Sequence, residues 1–197
     1  MYTLATTRFT NSTWESNKNY RRRHNISGCI YGSPQEMSPK ILPESLVFIV
    51  EMNNETNSIE GIGLVRNRAH LDKYYNIYQD GNYNRFVYKS DYHLDREKLL
   101  QYNDLIVKVL EYILFKEKSH LKRGSGFTTI TTKLLASKKN ESCKKLDVNI
   151  IINIIIQTFK KEYSLIQDDI SSKNINENDK SQKLRVTEKR ALKKEHY

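Results

Sequence analysis

One uninterrupted apolar run, Leu46–Val50, constrains the fold of this chain more than any other segment. Its β-branched and aromatic residues, bounded by Pro43 and Asn53, are typical of a strand that is covered on both faces. The residues that follow alternate in a way that predicts a second strand, so that Leu46–Met52 and Ile59–Arg66 form a hairpin. The sequence therefore predicts a hairpin whose first strand is central in its sheet.

Two glycines, Gly61 and Gly63, lie inside the second strand of this hairpin. Glycine weakens a strand unless another group approaches closely or the sheet bends, as it does at a barrel corner. The pair therefore predicts a close approach or a bend at this point of the sheet.

Four other segments are predicted as strands from alternation and β-propensity. They are Met1–Thr6, Tyr74–Tyr78, Arg85–Leu94 and Phe127–Leu134. The polar stretch around Trp14, after the first strand, is predicted as a loop, and Asp80-Gly81 is predicted as a turn.

Two segments change to the helical period. Apolar residues at spacings of three and four predict a helix over Asp95–Lys118, with Asp95 as its N-cap. The same spacing favours a helix over Lys144–Ile166, although its many isoleucines would also suit a strand.

The domain organisation follows from these elements. Residues 1–135 are predicted to be one domain, and residues 136–166 a basic linker with an apolar helix. Residues 167–197 are polar and are predicted to be a disordered tail, with a nascent helix near residues 187–194.

The positive charge is unevenly distributed along the chain. The 197 residues have a formal charge of +10, and the segment Lys116–Lys145 alone holds nine Lys or Arg against two Glu. A second cluster extends from Lys18 through Arg21–Arg23 to His24. Such an excess attracts polyanions, of which phosphate backbones are the commonest. A solubilising surface, an anionic membrane surface and an acidic protein partner are the alternatives that the charge leaves open.

Composition argues against several classes of protein. A hydrophobic fraction of 38% is enough to build a core. No apolar run approaches the roughly 20 residues that a membrane-spanning helix needs, and the first residues lack the pattern of a secretory signal. Cys29 and Cys143, the only two cysteines, are too few and too far apart for a disulfide framework. We expect a soluble protein of a reducing compartment with no membrane partner.

No enzymatic motif is present in the sequence. It lacks a phosphate-binding loop with the Lys-Ser/Thr ending and a Gly-x-Ser-x-Gly elbow, and its five histidines are dispersed. Glu51, Glu60, Asp72 and Asp80 could be gathered into the metal site of a nuclease, but their spacing does not require it. The sequence therefore predicts no catalytic residue, no metal site and no cofactor.

The segment Lys122–Gly126 has two interpretations. Paired glycines allow backbone N–H groups to approach a phosphate, and the adjacent Lys122 and Arg123 supply positive charge. Alternatively, the segment is a helix C-terminus with favourable cations and a glycine stop. Both interpretations depend on glycine backbone freedom and nearby positive charge, so the sequence leaves both of them open.

Aromatic residues also have two interpretations. Trp14, the only tryptophan, is either a core residue or a stacking surface for a base. The stretch from Tyr74 to Tyr92 interleaves tyrosines with Asn, Arg and Lys, which is typical either of a face that stacks unpaired bases or of a half-buried strand.

Four segments, taken in order, carry a resemblance to a known family. They are the opening strand with Thr6-Thr7 and Trp14, Val47–Val50 followed by Ile59–Gly63, Tyr83–Tyr88, and the helix that runs into Lys122–Gly126. Together they resemble the PUA-like superfold, especially its EVE and YTH branches. The resemblance covers residues 1–135 and implies an α+β fold, a small mixed β-barrel with flanking helices and a pocket that accepts one base. The composition also resembles that of uncharacterised proteins of large nucleocytoplasmic DNA viruses, which implies the cytoplasm or nucleus of a host cell, or a virion.

The resemblance implies roles for particular side chains. The YTH branch builds its pocket walls from tryptophans, and only Trp14 is available here, so Tyr31 and Phe86 would supply the other walls. Base-edge partners would be Asn11 and Asn53. The remaining nucleic-acid-binding residues would be Arg22, Arg66, Arg68, Arg85, Lys122 and Arg123.

The sequence therefore predicts a non-enzymatic nucleic-acid-binding protein that recognises a plain or modified base, with RNA favoured over DNA. The alternative is a viral structural or assembly adaptor whose helix over residues 144–166 docks a protein partner. A metal-dependent nuclease is the third hypothesis.

Overall fold

The structure is a computed structural model, and it describes residues 2–164. Its strands are β1 (Tyr2–Phe9), β2 (Cys29–Ser33), β3 (Leu46–Asn53), β4 (Ser58–Arg66), β5 (Phe86–Ser90), β6 (His93–Asp95) and β7 (Thr128–Thr129). Its helices are α1 (Asn11–Arg23), α2 (Arg96–Phe115), α3 (Thr132–Ala136) and α4 (Glu141–Lys144), with a 3₁₀ turn at Gly81–Asn84 and helical residues at 148–158. The predicted α+β class is confirmed. The tail predicted over 167–197, and the last two residues of the helix predicted over 144–166, lie outside the described residues.

The described strands form two sheets. The main sheet has the order β6-β4-β3-β1-β7, and β2 pairs with β5 in the second. β1 is parallel to β3, and the other pairs are antiparallel. β3 lies at the centre and residues 47–53 are buried on both of its faces, as predicted. The two sheets do not close into a barrel in this part of the chain.

The predicted hairpin is confirmed. β3 pairs with β4 from Leu46 opposite Arg66 to Asn53 opposite Ser58. The connecting turn contains Asn57 at φ 55°, a left-handed conformation that asparagine tolerates well. The backbone N–H of Asn54 donates to Phe9 O at 2.9 Å, which joins this turn to the end of β1.

A helix that the sequence did not predict follows β1. The loop predicted around Trp14 is wrong, because this residue lies in the second turn of α1. Thr10 and Thr13 form a capping box at its start, and its buried residues are Trp14, Asn17 and Tyr20. Only these three of its 13 residues are buried. The apolar period was therefore too sparse to predict a helix.

The strand predicted over Tyr74–Tyr78 is wrong, because residues 74–77 are irregular. The side chain of Asn84 binds this segment instead: its Oδ1 accepts from the backbone N–H groups of Ile77 and Tyr78 at 3.1 and 3.0 Å. Its Nδ2 also donates to Tyr78 O at 2.7 Å. One carboxamide thus satisfies backbone groups that a partner strand would otherwise satisfy. The predicted strand Arg85–Leu94 is divided into β5 and β6.

The helix predicted over Asp95–Lys118 is confirmed as α2. The carboxylate of Asp95 accepts a hydrogen bond from Lys98 N at 2.9 Å, so it caps the helix as predicted. A kink occurs at Asn103, whose side chain accepts from Ile106 N at 3.1 Å. This second cap lets the helix resume with its apolar face still toward the core.

The strand predicted over Phe127–Leu134 is shorter in the structure, because only β7 pairs with β1. The side chain of Thr131 accepts a hydrogen bond from Leu134 N at 3.3 Å and starts α3. Local side-chain capping therefore overrides the β-propensity of the threonines here.

A buried polar network joins α1 to both sheets. The Tyr31 hydroxyl donates to Glu51 Oε1 at 2.7 Å, and His93 Nε2 lies 3.0 Å from Glu51 Oε2. Arg21 Nη2 lies 3.3 Å from His93 Nδ1. Because a guanidinium can only donate, Nδ1 must accept, and the imidazole proton lies on Nε2, where it donates to Glu51. Glu51 thus accepts hydrogen bonds from two different elements.

The Cys29 thiol lies beside this network and is fully buried. Burial, together with the nearby Glu51 carboxylate, raises the pKa of Cys29 to about 12. Burial likewise raises the pKa of Tyr31 well above its usual value. The thiol is therefore protonated at neutral pH, the form that is a poor nucleophile.

Gly61 and Gly63 make room for the network, which confirms the predicted close approach. A Cβ atom on Gly63 would lie 2.1 Å from the Tyr31 hydroxyl oxygen and 2.6 Å from Cys29 Sγ. A Cβ atom on Gly61 would lie 2.5 Å from Glu51 Oε2. Only glycine leaves space for these buried groups to cross β4.

We expect Gly63→Ala to lower the free energy of unfolding by about 1–3 kcal/mol, because the added methyl group overpacks a site that cannot move easily. Chemical denaturation followed by fluorescence would measure this loss. Gly81→Ala is the matched control, since its Cβ would meet only the Tyr74 hydroxyl at 3.4 Å. Equal stability of the two variants would show that the network yields to the methyl group.

Backbone contacts group the described residues up to Thr158 into one compact unit and place Phe159 at the start of a second. In the second unit, the described residues 159–164 are helical. The rings of Phe159 and Tyr163 stack with their centres 6.0 Å apart. The domain boundary at residue 135 stays a prediction.

Candidate nucleic-acid interface

A cavity of about 240 Å³ lies where β1 ends and α1 begins. It is lined by Thr7, Arg8, Phe9, Thr10, Thr13, Gly32, Asn54, Tyr78, Tyr83, Gly124 and Gly126. These residues come from β1, α1, β2, the β3–β4 turn, the segment before β5 and the segment after α2. The cavity therefore depends on the tertiary fold rather than on a local motif.

Arg8 connects the end of β1 to the segment that follows α2. Its Nε donates to Leu121 O at 2.5 Å and its Nη2 donates to Thr128 Oγ1 at 2.7 Å. Its Nη1 makes a longer contact with Gly126 O at 3.4 Å. Burial lowers the pKa of Arg8, but a guanidinium stays charged at neutral pH. Arg8 thus holds this segment in place and brings a positive charge to the cavity.

The segment Lys122–Gly126 is a loop that lies against the cavity. α2 ends at Phe115, so the interpretation of the glycines as a helix stop is wrong. Gly124 and Gly126 have φ values of 102° and 66°, which few other residues adopt. Their positive φ values shape the loop where it borders the cavity.

The loop is also fastened to the β3–β4 turn. Asn54 Nδ2 donates to Lys122 O at 2.9 Å, and Lys122 Nζ donates to Asn57 Oδ1 at 2.7 Å. Asn54 Oδ1 is buried and has no hydrogen-bond partner within the described part of the chain. A buried acceptor of this kind needs a donor from water or from a ligand.

Besides Phe9, two tyrosines supply the aromatic part of the lining. Their rings meet edge to face with centres 6.4 Å apart. Tyr78 is buried, its hydroxyl accepts from Asn17 Nδ2 at 3.1 Å, and burial raises its pKa. Tyr83 is 39% exposed. A Cβ atom on Gly32 would lie 2.1 Å from Tyr83 O, so this glycine lets the Tyr83 backbone approach β2.

The aromatic residues that the resemblance suggested lie elsewhere. Trp14 is 9% exposed and its ring meets Phe9 edge-on at 5.1 Å. Tyr31 is 1% exposed and belongs to the buried network. Phe86 is half-buried in β5, with the guanidinium of Arg85 over its ring at 5.7 Å. Among the described residues, the cavity lining includes none of these rings, although Trp14 contacts one of the lining residues.

The two asparagines that the resemblance suggested are bonded to each other. Asn53 Nδ2 donates to Asn11 Oδ1 at 2.9 Å and to Glu60 Oε1 at 2.8 Å. The Oδ1 atom of Asn53 accepts from Glu55 N at 3.1 Å. These bonds hold the β3–β4 turn against the start of α1. The neighbouring Asn54 lines the cavity instead.

The suggested cationic residues fall into separate places. Arg66 and Arg68 both approach the Glu44 carboxylate, at 3.8 and 3.7 Å. Arg22 is exposed on α1, and Arg123 is exposed in the loop beside the cavity. Of these cations, Lys122 and Arg123 belong to the loop whose Gly124 and Gly126 line the cavity.

Sequence reasoning did not single out Arg8, Asn54 or Gly32 for this site. Tyr78 and Tyr83 belonged to the interleaved aromatic stretch, and Tyr83 also began one segment of the resemblance, but neither was proposed as a pocket wall. Arg8 has no sequence signal, because its importance comes from partners more than 110 positions away. Asn54 could have been suspected as the neighbour of Asn53 in the turn.

The structure also places the residues of the alternative hypotheses. Ile151, Ile152 and Ile155 are buried, whereas Ile150 is 49% exposed. Within residues 2–164, no three His, Cys, Asp or Glu side chains are grouped so that they could hold a metal ion. A protein partner for residues 144–166 stays a prediction.

Comparison of the chain with protein-family models, with curated proteins and with solved structures gives no match. Among residues 2–164, none of the helices combines the length and the apolar character that crossing a bilayer requires. The PUA-like resemblance therefore stays a prediction.

Proposed function

We propose that this protein binds nucleic acid without catalysing a reaction on it, and that RNA is its preferred ligand. The cavity accepts one plain or modified base, in a PUA-like arrangement of sheet and helices. The observation that carries this proposal is the position of the Lys122–Gly126 loop, which borders a cavity that also contains a partly exposed tyrosine.

The size of the cavity favours a small planar group. Drug-sized ligands occupy cavities of about 300–1,000 Å³. A cavity of about 240 Å³ lies below that range. A single base suits it better than a larger ligand does.

The lining offers the two interactions by which proteins recognise unpaired bases. The ring of Tyr83 can stack on a base, and each such stack contributes about 1–3 kcal/mol. Asn54 Oδ1 lacks a donor, and the amino group of a base edge is a donor that could reach it after a small side-chain movement. Because sequence-specific RNA recognition uses unpaired bases of this kind, we favour single-stranded RNA.

The loop offers contacts to the phosphates on either side of that base. Gly124 and Gly126 have no side chains, so this part of the backbone is open to a phosphate, and their positive φ values favour glycine here. Lys122 and Arg123 add two positive charges. Phosphate contacts of this type give affinity that weakens with salt, whereas the base contacts give selectivity.

We expect Lys122→Ala combined with Arg123→Ala to flatten the salt dependence of RNA binding. Each lost phosphate contact reduces the log–log slope by about 0.7 for single strands, so the double variant loses about 1.4. Filter binding of a labelled single strand at several salt concentrations would measure the slope, with single-stranded DNA and both duplexes in parallel.

The matched control is Lys144→Ala combined with Lys145→Ala. It removes the same charge from the same basic segment, and Lys144 is already paired with Glu141 at 2.6 Å. We expect the control to keep the slope of the unmodified protein. An unchanged slope in the Lys122 and Arg123 variant, or equal affinity for duplex and single strand, would refute the proposal.

A further inference from the structure

Three further depressions continue from the cavity along α1. The first, of about 640 Å³, shares Tyr78 with the cavity. The second shares Arg23 with the first, and the third shares His24 and Lys73 with the second. Each depression therefore has at least one lining residue in common with the next, and we call the three together the α1 groove. It lies between the C-terminal half of α1 and residues 70–79.

In the described part of the chain, three of the cations that line the α1 groove have no carboxylate partner. Arg22, Arg23 and Lys73 line it, and none of the three has a carboxylate within 4 Å among residues 2–164. Arg22 instead donates to the neutral Asn19 Oδ1 at 3.0 Å. Arg66 and Arg68, by contrast, share the Glu44 carboxylate. The charge of the groove is therefore available to an anionic ligand.

Tyrosine side chains line the α1 groove beside these cations. Tyr74 lines the groove and is 70% exposed. The ammonium groups of Lys73 and Lys89 each lie 5.2 Å from the ring centre of Tyr75. Lys89 also donates to the Tyr75 hydroxyl at 2.9 Å, and that hydroxyl donates to Asp72 at 2.8 Å. These contacts fix Tyr75 and leave the ring of Tyr74 as the open stacking surface.

We propose that the α1 groove binds the nucleotides of a single strand that adjoin the base in the cavity. The inference rests on the proposed function and extends it from one base to a strand of several nucleotides. Cations hold the phosphates and Tyr74 stacks on a base, as in other channels for single strands. A duplex keeps its bases paired and stacked, so it could use only the charges.

Strand length distinguishes the groove from the cavity. We expect the full chain to bind an RNA strand of about twelve nucleotides more tightly than a trinucleotide of the same base. Arg22→Ala combined with Arg23→Ala is expected to weaken binding of the long strand about tenfold and to leave the trinucleotide within about twofold. Lys122→Ala with Arg123→Ala is expected to weaken both.

Conservative variants at the same positions are the controls. Arg22→Lys combined with Arg23→Lys keeps the charge and is expected to retain most of the affinity for the long strand. Tyr74→Phe keeps the ring and is expected to bind as the unmodified protein does, whereas Tyr74→Ala loses about tenfold. All of these side chains are exposed, and a thermal melt of each variant would verify that the fold is retained.

The outcomes separate the two proposals. Equal affinity for the long strand and the trinucleotide, or an unaltered long-strand affinity in the Arg22 and Arg23 variant, overturns the groove and leaves the cavity standing. An acidic polypeptide that competes as well as the strand does, with no effect of Tyr74→Ala, also overturns it in favour of an acidic protein partner. If neither RNA binds, the proposed function fails and the groove fails with it.

Discussion

Glu51→Ala is expected to lower the free energy of unfolding by about 3–5 kcal/mol. The carboxylate is fully buried and accepts hydrogen bonds from Tyr31 and His93, whose side chains are also buried. Removing it leaves two donors without an acceptor in a site that water does not reach. It also removes the negative charge that lies on the opposite side of the His93 ring from Arg21. Urea denaturation followed by the fluorescence of Trp14, the only tryptophan, would measure the change.

Two other substitutions make this prediction specific. Glu51→Gln keeps the shape but leaves only one acceptor for the two donors, so we expect a loss of about 1–3 kcal/mol. Glu15→Ala removes an exposed carboxylate that pairs with Lys18 at 2.5 Å on the surface, and its effect should stay within about 1 kcal/mol. A loss at Glu51 no larger than at Glu15 would mean that the network does not stabilise the fold.

The elements that could be predicted from the sequence are those whose signal is local and dense. β3 is an unbroken apolar run, and α2 has an apolar stripe with Asp95 before it as a cap. Gly63 is a subtler case: the sequence indicated that something approaches it, but the Tyr31 hydroxyl that does so comes from another sheet. The presence of the contact was predictable, whereas the identity of the partner was not.

The elements that could not be predicted are stabilised by single side chains. α1 buries only three residues, so its polar surface dominates the sequence pattern. The segment around Tyr78 has the β-propensity of a strand, but the carboxamide of Asn84 takes its backbone hydrogen bonds. Propensity describes an average environment, and one well-placed amide can override it.

For the cavity, the predicted residue types and the residues that line it differ in position. Asn11 and Asn53 were the predicted base-edge partners and Trp14, Tyr31 and Phe86 the predicted walls, whereas the asparagine and the partly exposed ring that line the cavity are Asn54 and Tyr83. Asn53 lies at the end of β3 and points its side chain to Asn11 and Glu60. Asn54 is the first residue of the turn that follows β3, so the chain leaves the strand between these two residues and their side chains reach different sites.

Arg8→Ala is expected to weaken RNA binding about 100-fold, which is the largest functional effect that we predict. Such a loss corresponds to about 2.7 kcal/mol, within the range of residues that dominate an interface. Arg8 supplies charge to the cavity and also holds Leu121 O and Thr128 Oγ1. Without it, the Lys122–Gly126 loop loses its attachment to β1, so its phosphate contacts and the cavity wall are lost together.

Arg8→Lys separates charge from positioning. An ammonium keeps the positive charge but cannot reach three acceptors with the planar fork of a guanidinium. We therefore expect Arg8→Lys to bind nearly as poorly as Arg8→Ala, and hydrogen exchange to quicken over residues 121–128 in both variants while β3 stays protected. If Arg8→Lys instead binds as the unmodified protein does, Arg8 acts through its charge alone. Affinity that survives in Arg8→Ala, despite faster exchange in the loop, would place the RNA somewhere other than this cavity.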